Sequence, residues 1–202
     1  QLALGNWRMT LGGRYDWTKD DTTSSTRNLA TGIAQPGNRT VIKNEAFTGR
    51  AGLLYVFENG LTPYLGYAES FQPSTRTPLD SFTGTGFEPI TGRQWEAGLK
   101  YQPGRMDGLV TLAAYELRQQ NMIVDDPDPS HRSCGATGTV RCSVQGDEGR
   151  VRGVELEGRL TPVQGFSVIG AAAWMDSEMT VSSAYAGKEL VMVPDFTASF
   201  WA

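Results

Sequence analysis

Polar and apolar residues alternate with a period of two over much of this chain. From Trp7 to Trp17 the odd positions are mainly apolar or aromatic, whereas the even positions carry Arg, Thr and Asp. The same alternation occurs from Phe47 to Phe57 and in the segments RQWEAGLKY and RGVELEGRL. Successive side chains of a β-strand point to opposite faces, so this period predicts strands with one apolar and one polar face.

Three further runs alternate less strictly but are rich in the Val, Tyr, Trp and Phe residues that favour strands. They lie at 109–123, 166–176 and 195–202. The run Tyr64–Phe71 is ambiguous, because its more apolar face also contains Glu69. We therefore predict an all-β fold of about eight strands without an amphipathic helix.

Short and long connections alternate strictly between these strands. The short turns lie at 58–63, 102–108 and 161–165, and the long polar segments lie at 18–44, 72–91, 124–148 and 179–193. Long segments on every second connection place all the variable surface at one end of an antiparallel, up-and-down sheet. Transmembrane β-barrels have this asymmetry, with short turns at one end and long loops at the other.

The predicted apolar face mixes aliphatic side chains with many aromatic ones, several near strand ends. The aromatic residues assigned to it are Trp7, Tyr15, Trp17, Tyr55, Phe57, Trp95, Tyr101, Tyr115 and Trp174. Tyr and Trp at strand ends are typical of the interfacial girdles of a membrane barrel. We therefore expect Trp95, Ala97, Leu99 and Tyr101, together with Val154, Leu156 and Leu160, to face lipid.

The opposite face carries too many charges for a dry protein interior. The residues that we expect to face a wet lumen are Arg50, Glu96, Lys100, Glu155, Glu157 and Arg159. Glu155 and Glu157, about 6.6 Å apart on one strand, also allow a paired-carboxylate glycosidase site. A ladder of charges along a wet lumen is the favoured interpretation, since nothing else marks a sugar site.

Composition argues against a helical membrane protein and against a nucleic-acid-binding protein. The 202 residues include 24 Gly, carry a net charge of -4 and have a mean hydropathy of -0.33. No apolar run approaches the roughly 18 residues that a membrane-spanning helix needs. Lys and Arg form no block, so the electrostatic footprint of a nucleic-acid-binding protein is absent.

The segment HRSCGATGTVRCSV contains the two cysteines and the single histidine of the chain. We predict that Cys134 and Cys142 form a disulfide that closes a small loop; a metal or redox pair with His131 is the alternative. A zinc site needs about four ligands, so we predict no metal site. No Ser/His/Asp arrangement can be built around His131, so we predict no catalytic residues and no enzymatic activity.

Aromatic residues in or beside the second long segment are the candidate ligand contacts: Phe71, Phe82 and Phe87. Exposed aromatic side chains on a loop above a barrel mouth are placed to contact a ligand. A small hydrophobic cluster between loops is the structural alternative.

Several segments together resemble TonB-dependent siderophore receptors, most closely the ferrichrome and ferric-hydroxamate branch. They are LGGRYDW, FENGLTPYLGYAESFQP, GRQWEAGLKYQP, RVRGVELEG and VPDFTASFWA. The resemblance implies a bacterial outer-membrane barrel of 22 strands with a plugged lumen. It implies uptake of a ferric siderophore as transported ligand, without a cofactor, and coupling to TonB through a plug domain.

The resemblance covers residues 1–202 as part of a barrel domain. No segment resembles the plug, and the family's last strands are not matched. A soluble all-β ligand-binding module is the alternative interpretation.

Overall fold

A computed structural model describes residues 1–84, 86–135, 138 and 140–202, except for the side chains of residues 24, 26, 35, 36 and 38. These residues form nine strands: β1 Leu2–Leu4, β2 Trp7–Arg27, β3 Ala34–Tyr55, β4 Leu61–Gln72, β5 Ile90–Tyr101, β6 Asp107–Asp125, β7 Ser143–Val163, β8 Phe166–Val181 and β9 Phe196–Trp201. Within this described part of the chain a single 3-10 turn lies at Pro78–Asp80. The described part of the chain contains no helix that is long and apolar enough to cross a membrane.

The strands form one antiparallel sheet in chain order, from β1 to β9. Each strand pairs with its neighbours in sequence, so the connections are hairpins without crossovers. Among the described residues β1 and β9 are not paired with each other, which leaves the sheet open at both edges. The predicted all-β, up-and-down architecture is confirmed.

The register sorts the side chains onto two faces. On β5, β6 and β7, Leu99 lies opposite Leu112, and Leu112 lies opposite Leu156. One position away, Lys100 lies opposite Thr111, which lies opposite Glu157. We call the first side the apolar face and the second side the charged face. All seven residues that the sequence assigned to lipid fall on the apolar face.

The apolar face is open rather than buried. On the apolar face Trp95 is 53% exposed, Leu112 48% and Leu156 43%. On β5 the even-numbered positions from 94 to 100, which belong to the charged face, are half-buried. A water-soluble sheet has the reverse pattern, with its apolar face packed into a core. An exposed apolar surface that runs across several strands marks a surface that meets another apolar medium or partner.

Aromatic side chains lie at both ends of the apolar face. Trp7 contacts Tyr55 near the short turns, and Tyr67 contacts Trp95 toward the long connections. Trp7 and Trp17 are ten residues apart on β2, which is about 34 Å along the strand and about 26 Å along the axis of a barrel with strands tilted by about 40°. That height matches the apolar band of an outer-membrane barrel, about 25 Å.

The segment 18–44 was wrongly predicted as a loop. β2 and β3 continue through it as a paired ribbon, and only residues 28–33 form the turn. In this turn the Asn28 side chain accepts hydrogen bonds from the backbone N–H groups of Ala30 and Thr31. The ribbon is polar on both faces, so it lacks the alternation by which the other strands were found.

Tyr115 was assigned to the apolar face, but it lies on the charged face opposite Glu96. Its ring covers Gly153, where an added Cβ would lie 2.7 Å from the ring. The residues just before Tyr115 on β6 are apolar on both faces, with Ala113 on one and Leu112 and Ala114 on the other, whereas the next residue, Glu116, places a charge opposite Trp95. The pattern in this stretch therefore indicates no clear phase for the strand.

We expect Leu99→Arg or Leu156→Arg to destabilise the folded barrel by about 2 to 4 kcal/mol, because each would place a charge near the middle of an apolar membrane face. The control Glu157→Gln, on the charged face, should have little effect. Denaturant unfolding of the receptor that contains this segment, in lipid bilayers, measures both. The reverse ranking would show that the faces are displaced by one residue.

Candidate functional site

The connections 73–89 and 126–142 lie at the same end of the sheet and contact each other. We call them the first and second loops. The backbone N–H of Gly135 donates to the carbonyl oxygen of Leu79, at 2.8 Å. Gln145, at the start of β7, accepts from the Glu88 N–H at 2.7 Å and donates to the Glu88 carbonyl at 2.6 Å. The two loops therefore form one connected surface.

A disulfide joins Cys134 to Cys142 within the second loop. Cys142 is fully buried and Cys134 is 3% exposed. Cys134 also forms a backbone bridge with Val140, and the Cys142 N–H donates to the carbonyl of His131. Both sulfurs are bonded, which removes the thiolate ligands that a metal site with His131 needs. Among the described residues, no group of His, Cys, Asp and Glu is arranged to hold a metal ion.

His131 connects the second loop to the first. Its Nδ1 lies 2.8 Å from Asp126 Oδ2, in a hydrogen bond that fixes the ring. The ring stacks on Phe82 with the centroids 3.7 Å apart and the planes at 10°. The backbone N–H of Asp128 and then the His131 side chain hold the pKa of Asp126 below its usual value, so the carboxylate stays ionised as an acceptor.

A cavity of about 680 Å³ opens between the two loops. Its lining combines the aromatic rings of Phe82, Phe87 and His131 with the amides of Asn121 and Gln145. Phe87 is 9% exposed and Phe82 is 51% exposed, so the first anchors the loop and the second presents a ring to solvent. Aromatic walls with a few polar groups are typical of sites for small molecules.

The structure separates Phe71 from the other two candidate contacts. It lies on β4 opposite Thr91, in phase with Tyr67 and Leu65 on the apolar face. It does not line the cavity between the loops. We therefore remove Phe71 from the candidate set, and Phe82 and Phe87 remain in it.

The six residues expected to face a lumen share the charged face. Arg50 lies opposite Ala68, and Glu96 lies opposite Tyr115. Glu155, Glu157 and Arg159 lie opposite Ala173, Ala171 and Ile169. The Tyr64 hydroxyl donates to Glu96 at 2.5 Å, and Lys100 Nζ lies 5.1 Å from the centroid of the Tyr64 ring. One continuous surface of charged and hydroxyl groups therefore covers the side away from the apolar face.

Sequence reasoning missed Asn121 and Gln145. Asn121 has a φ of 59°, donates to the Pro89 carbonyl at 3.2 Å and accepts from Gln145 at 2.9 Å. It lies where the register of β6 and β7 shifts. An Asn within a predicted strand was the available signal, because Asn adopts the left-handed conformation more readily than most residues.

Comparison with known proteins identifies the family. Residues 1–202 match the family described as TonB dependent receptor-like, beta-barrel. The chain belongs to this TonB-dependent receptor family. It is 37% identical over 194 residues to the ferrichrome outer membrane transporter/phage receptor of Escherichia coli strain K12, covering 96% of this chain and 23% of that protein.

Other relatives support the same family. The ferrioxamine B receptor of Salmonella typhimurium strain SL1344 is 31% identical, covering 100% of this chain and 26% of that protein. The crystal structure of the ferric-catecholate import receptor Fiu from E. coli K12 superposes with a TM-score of 0.76 at 19% identity, covering 98% of this chain and 30% of that one, and shows the shared fold. The chain spans about a quarter of the length of these curated relatives.

We expect purified receptor to contain the Cys134–Cys142 disulfide, because the two sulfurs are bonded in the structure and both cysteines are buried. Mass spectrometry after alkylation without reductant should detect a linked peptide and no alkylated Cys134 or Cys142. Alkylation of both residues in the folded receptor would contradict the structure of this loop.

Proposed function

We propose that these residues form part of the wall and the extracellular loops of an outer-membrane receptor that imports a ferric siderophore of the hydroxamate type. The observation that carries the proposal is the inverted exposure of the sheet, with Trp95, Leu99 and Leu156 open on the apolar face. Outer-membrane lipid covers that face, and the location in the bacterial outer membrane agrees with the family.

The charged face lines the lumen in this proposal. Arg50, Lys100 and Arg159 alternate there with Glu96, Glu155 and Glu157, so neither sign of charge dominates among these six residues. Ionised groups of this density need water or polar protein as neighbours. The lumen of a large barrel of this family, which is occupied by a plug, supplies both.

The two loops supply ligand contacts. Phe82 presents a half-exposed ring, and the same cavity is lined by Asn121 and Gln145, whose amides hold the backbone of Pro89 and Glu88. A ferric hydroxamate encloses the metal in hydroxamate oxygens and presents methylene chains and amide groups on its outside, so an aromatic ring beside polar groups suits it. The two relatives named for ferrichrome and ferrioxamine B support the hydroxamate class.

Import requires no covalent chemistry from these residues. We therefore propose a transporter rather than an enzyme, with the ferric siderophore as cargo and without a resident cofactor. In the complete receptor, TonB would engage a plug region that is not part of residues 1–202. Residues 1–202 are accordingly proposed as part of a barrel domain, and we propose no nucleic-acid partner.

Binding to the complete receptor tests this function. We expect saturable binding of ferrichrome or ferrioxamine B, weakened about 5- to 30-fold by Phe82→Ala, the range for loss of a ring contact worth about 1 to 2 kcal/mol. The control Phe57→Ala removes an aromatic side chain at the short turns and should leave the affinity unchanged. Fluorescence titration of purified receptor measures both. Absence of any ferric-hydroxamate binding by the wild-type receptor would refute the proposal.

The isolated 202 residues should not form a high-affinity site. The edges at β1 and β9 expose unpaired backbone groups, which favours association in water and is not tolerated in lipid. We expect the isolated chain to aggregate or to show no saturable ferric-hydroxamate binding in light scattering and titration. A monomer in detergent-free buffer that bound such a chelate tightly would instead support the soluble binding module.

A further inference from the structure

We propose that the disulfide-closed second loop is a clamp for the first loop, and that His131 is the positioning residue that sets the place of Phe82. The inference rests on the proposed function for its link to ligand binding. The clamp itself rests on contacts between the two loops.

Three contacts hold the first loop at separate points, two of them from the second loop and one from Gln145 on β7. His131 stacks on Phe82 near the middle of the first loop. The Gly135 N–H binds the Leu79 carbonyl closer to its start, and Gln145 binds both backbone groups of Glu88 at its end. Contacts at three sites restrain both the position and the orientation of a segment, whereas a single contact would leave it free to rotate.

The bonds that the described part of the first loop makes with itself involve its backbone and its polar side chains, not the Phe82 ring. The Thr77 N–H and hydroxyl donate to Asp80 around the 3-10 turn at Pro78–Asp80, and the Gly84 N–H donates to the Ser81 carbonyl. Phe82 is half-exposed and its ring contacts His131. The stacked imidazole therefore supplies the ring contact that sets the position of the Phe82 side chain.

The disulfide fixes the residues that make the clamp. Cys142 donates its N–H to the His131 carbonyl and accepts at its own carbonyl from the Asp126 N–H. Asp126 in turn holds the His131 ring through its carboxylate. Gly135 directly follows Cys134, so the donor to Leu79 is also set by the crosslink. The bond between the two sulfurs thus positions two of the three contacts.

The alternative is that His131 only stabilises its own loop through Asp126. Two substitutions separate these roles. His131→Phe keeps an aromatic ring against Phe82 and removes the bond to Asp126, whereas His131→Ala removes both. If His131 acts on the first loop through stacking, hydrogen exchange in the first loop stays close to the wild-type rate in His131→Phe and rises in His131→Ala.

Hydrogen exchange of the complete receptor without ligand tests the clamp. We expect His131→Ala to speed exchange in residues 80–88 by about 2- to 12-fold, the range for loss of an aromatic contact worth about 0.5 to 1.5 kcal/mol. His131→Phe should stay close to the wild type. Cys134→Ser/Cys142→Ser should speed exchange there at least as much as His131→Ala.

Two controls make the result specific. Arg132→Ala alters the neighbouring residue, whose side chain donates to Pro129 within the second loop, and should leave residues 80–88 unchanged. In a Phe82→Ala background, His131→Ala should add no further increase, because the stacking partner is already gone. Unchanged exchange at residues 80–88 in His131→Ala would overturn the clamp, even if the double serine variant failed to fold.

Titration with ferrichrome tests the positioning role. We expect His131→Ala to weaken binding and His131→Phe to restore it. Faster exchange with unchanged affinity would overturn the positioning role. A wild-type receptor that binds no ferric hydroxamate would instead refute the proposed function, and the exchange measurement would still decide whether the clamp exists.

Discussion

The fold depends on one constraint. In the membrane-spanning part of the sheet, each strand contacts an apolar medium on one side and an aqueous one on the other. The hydrogen bonds of the sheet satisfy the backbone between the strands, which is what a membrane-spanning sheet requires. The side chains then divide by position, as Leu99, Leu112 and Leu156 do on one side and Lys100, Thr111 and Glu157 do on the other. A shift of one residue would exchange the two sets, so the alternation also fixes the register.

The strands were predictable where the two faces differ, as in β5 with Trp95 and Leu99 against Glu96 and Lys100. Prediction failed where the faces are alike. The ribbon at 18–44 is polar on both sides, and residues 112–114 of β6, just before Tyr115, are apolar on both sides. A period-two pattern arises from a difference in polarity between the two faces of a strand. Where both faces have the same polarity, the pattern indicates neither the strand nor its phase.

The loop contacts could not be predicted in the same way, because they join residues far apart in sequence. The Cys pair suggested a closed loop, and Phe82 and Phe87 suggested a ligand surface. Nothing local indicated that His131 would stack on Phe82, or that Gln145 would hold Glu88 across 57 residues. These contacts exist because antiparallel pairing of β5, β6 and β7 brings the ends of two long connections together.

The most direct test of the two-faced sheet is a spin-label scan of β5 in the receptor reconstituted into lipid bilayers. Single labels would replace Trp95, Ala97 and Leu99 on one face, and Gln94, Glu96 and Lys100 on the other. The structure predicts that the first three labels are relaxed mainly by oxygen, which partitions into lipid, and the second three mainly by a water-soluble nickel complex. Equal accessibility at all six positions, or the opposite phase, would contradict the account.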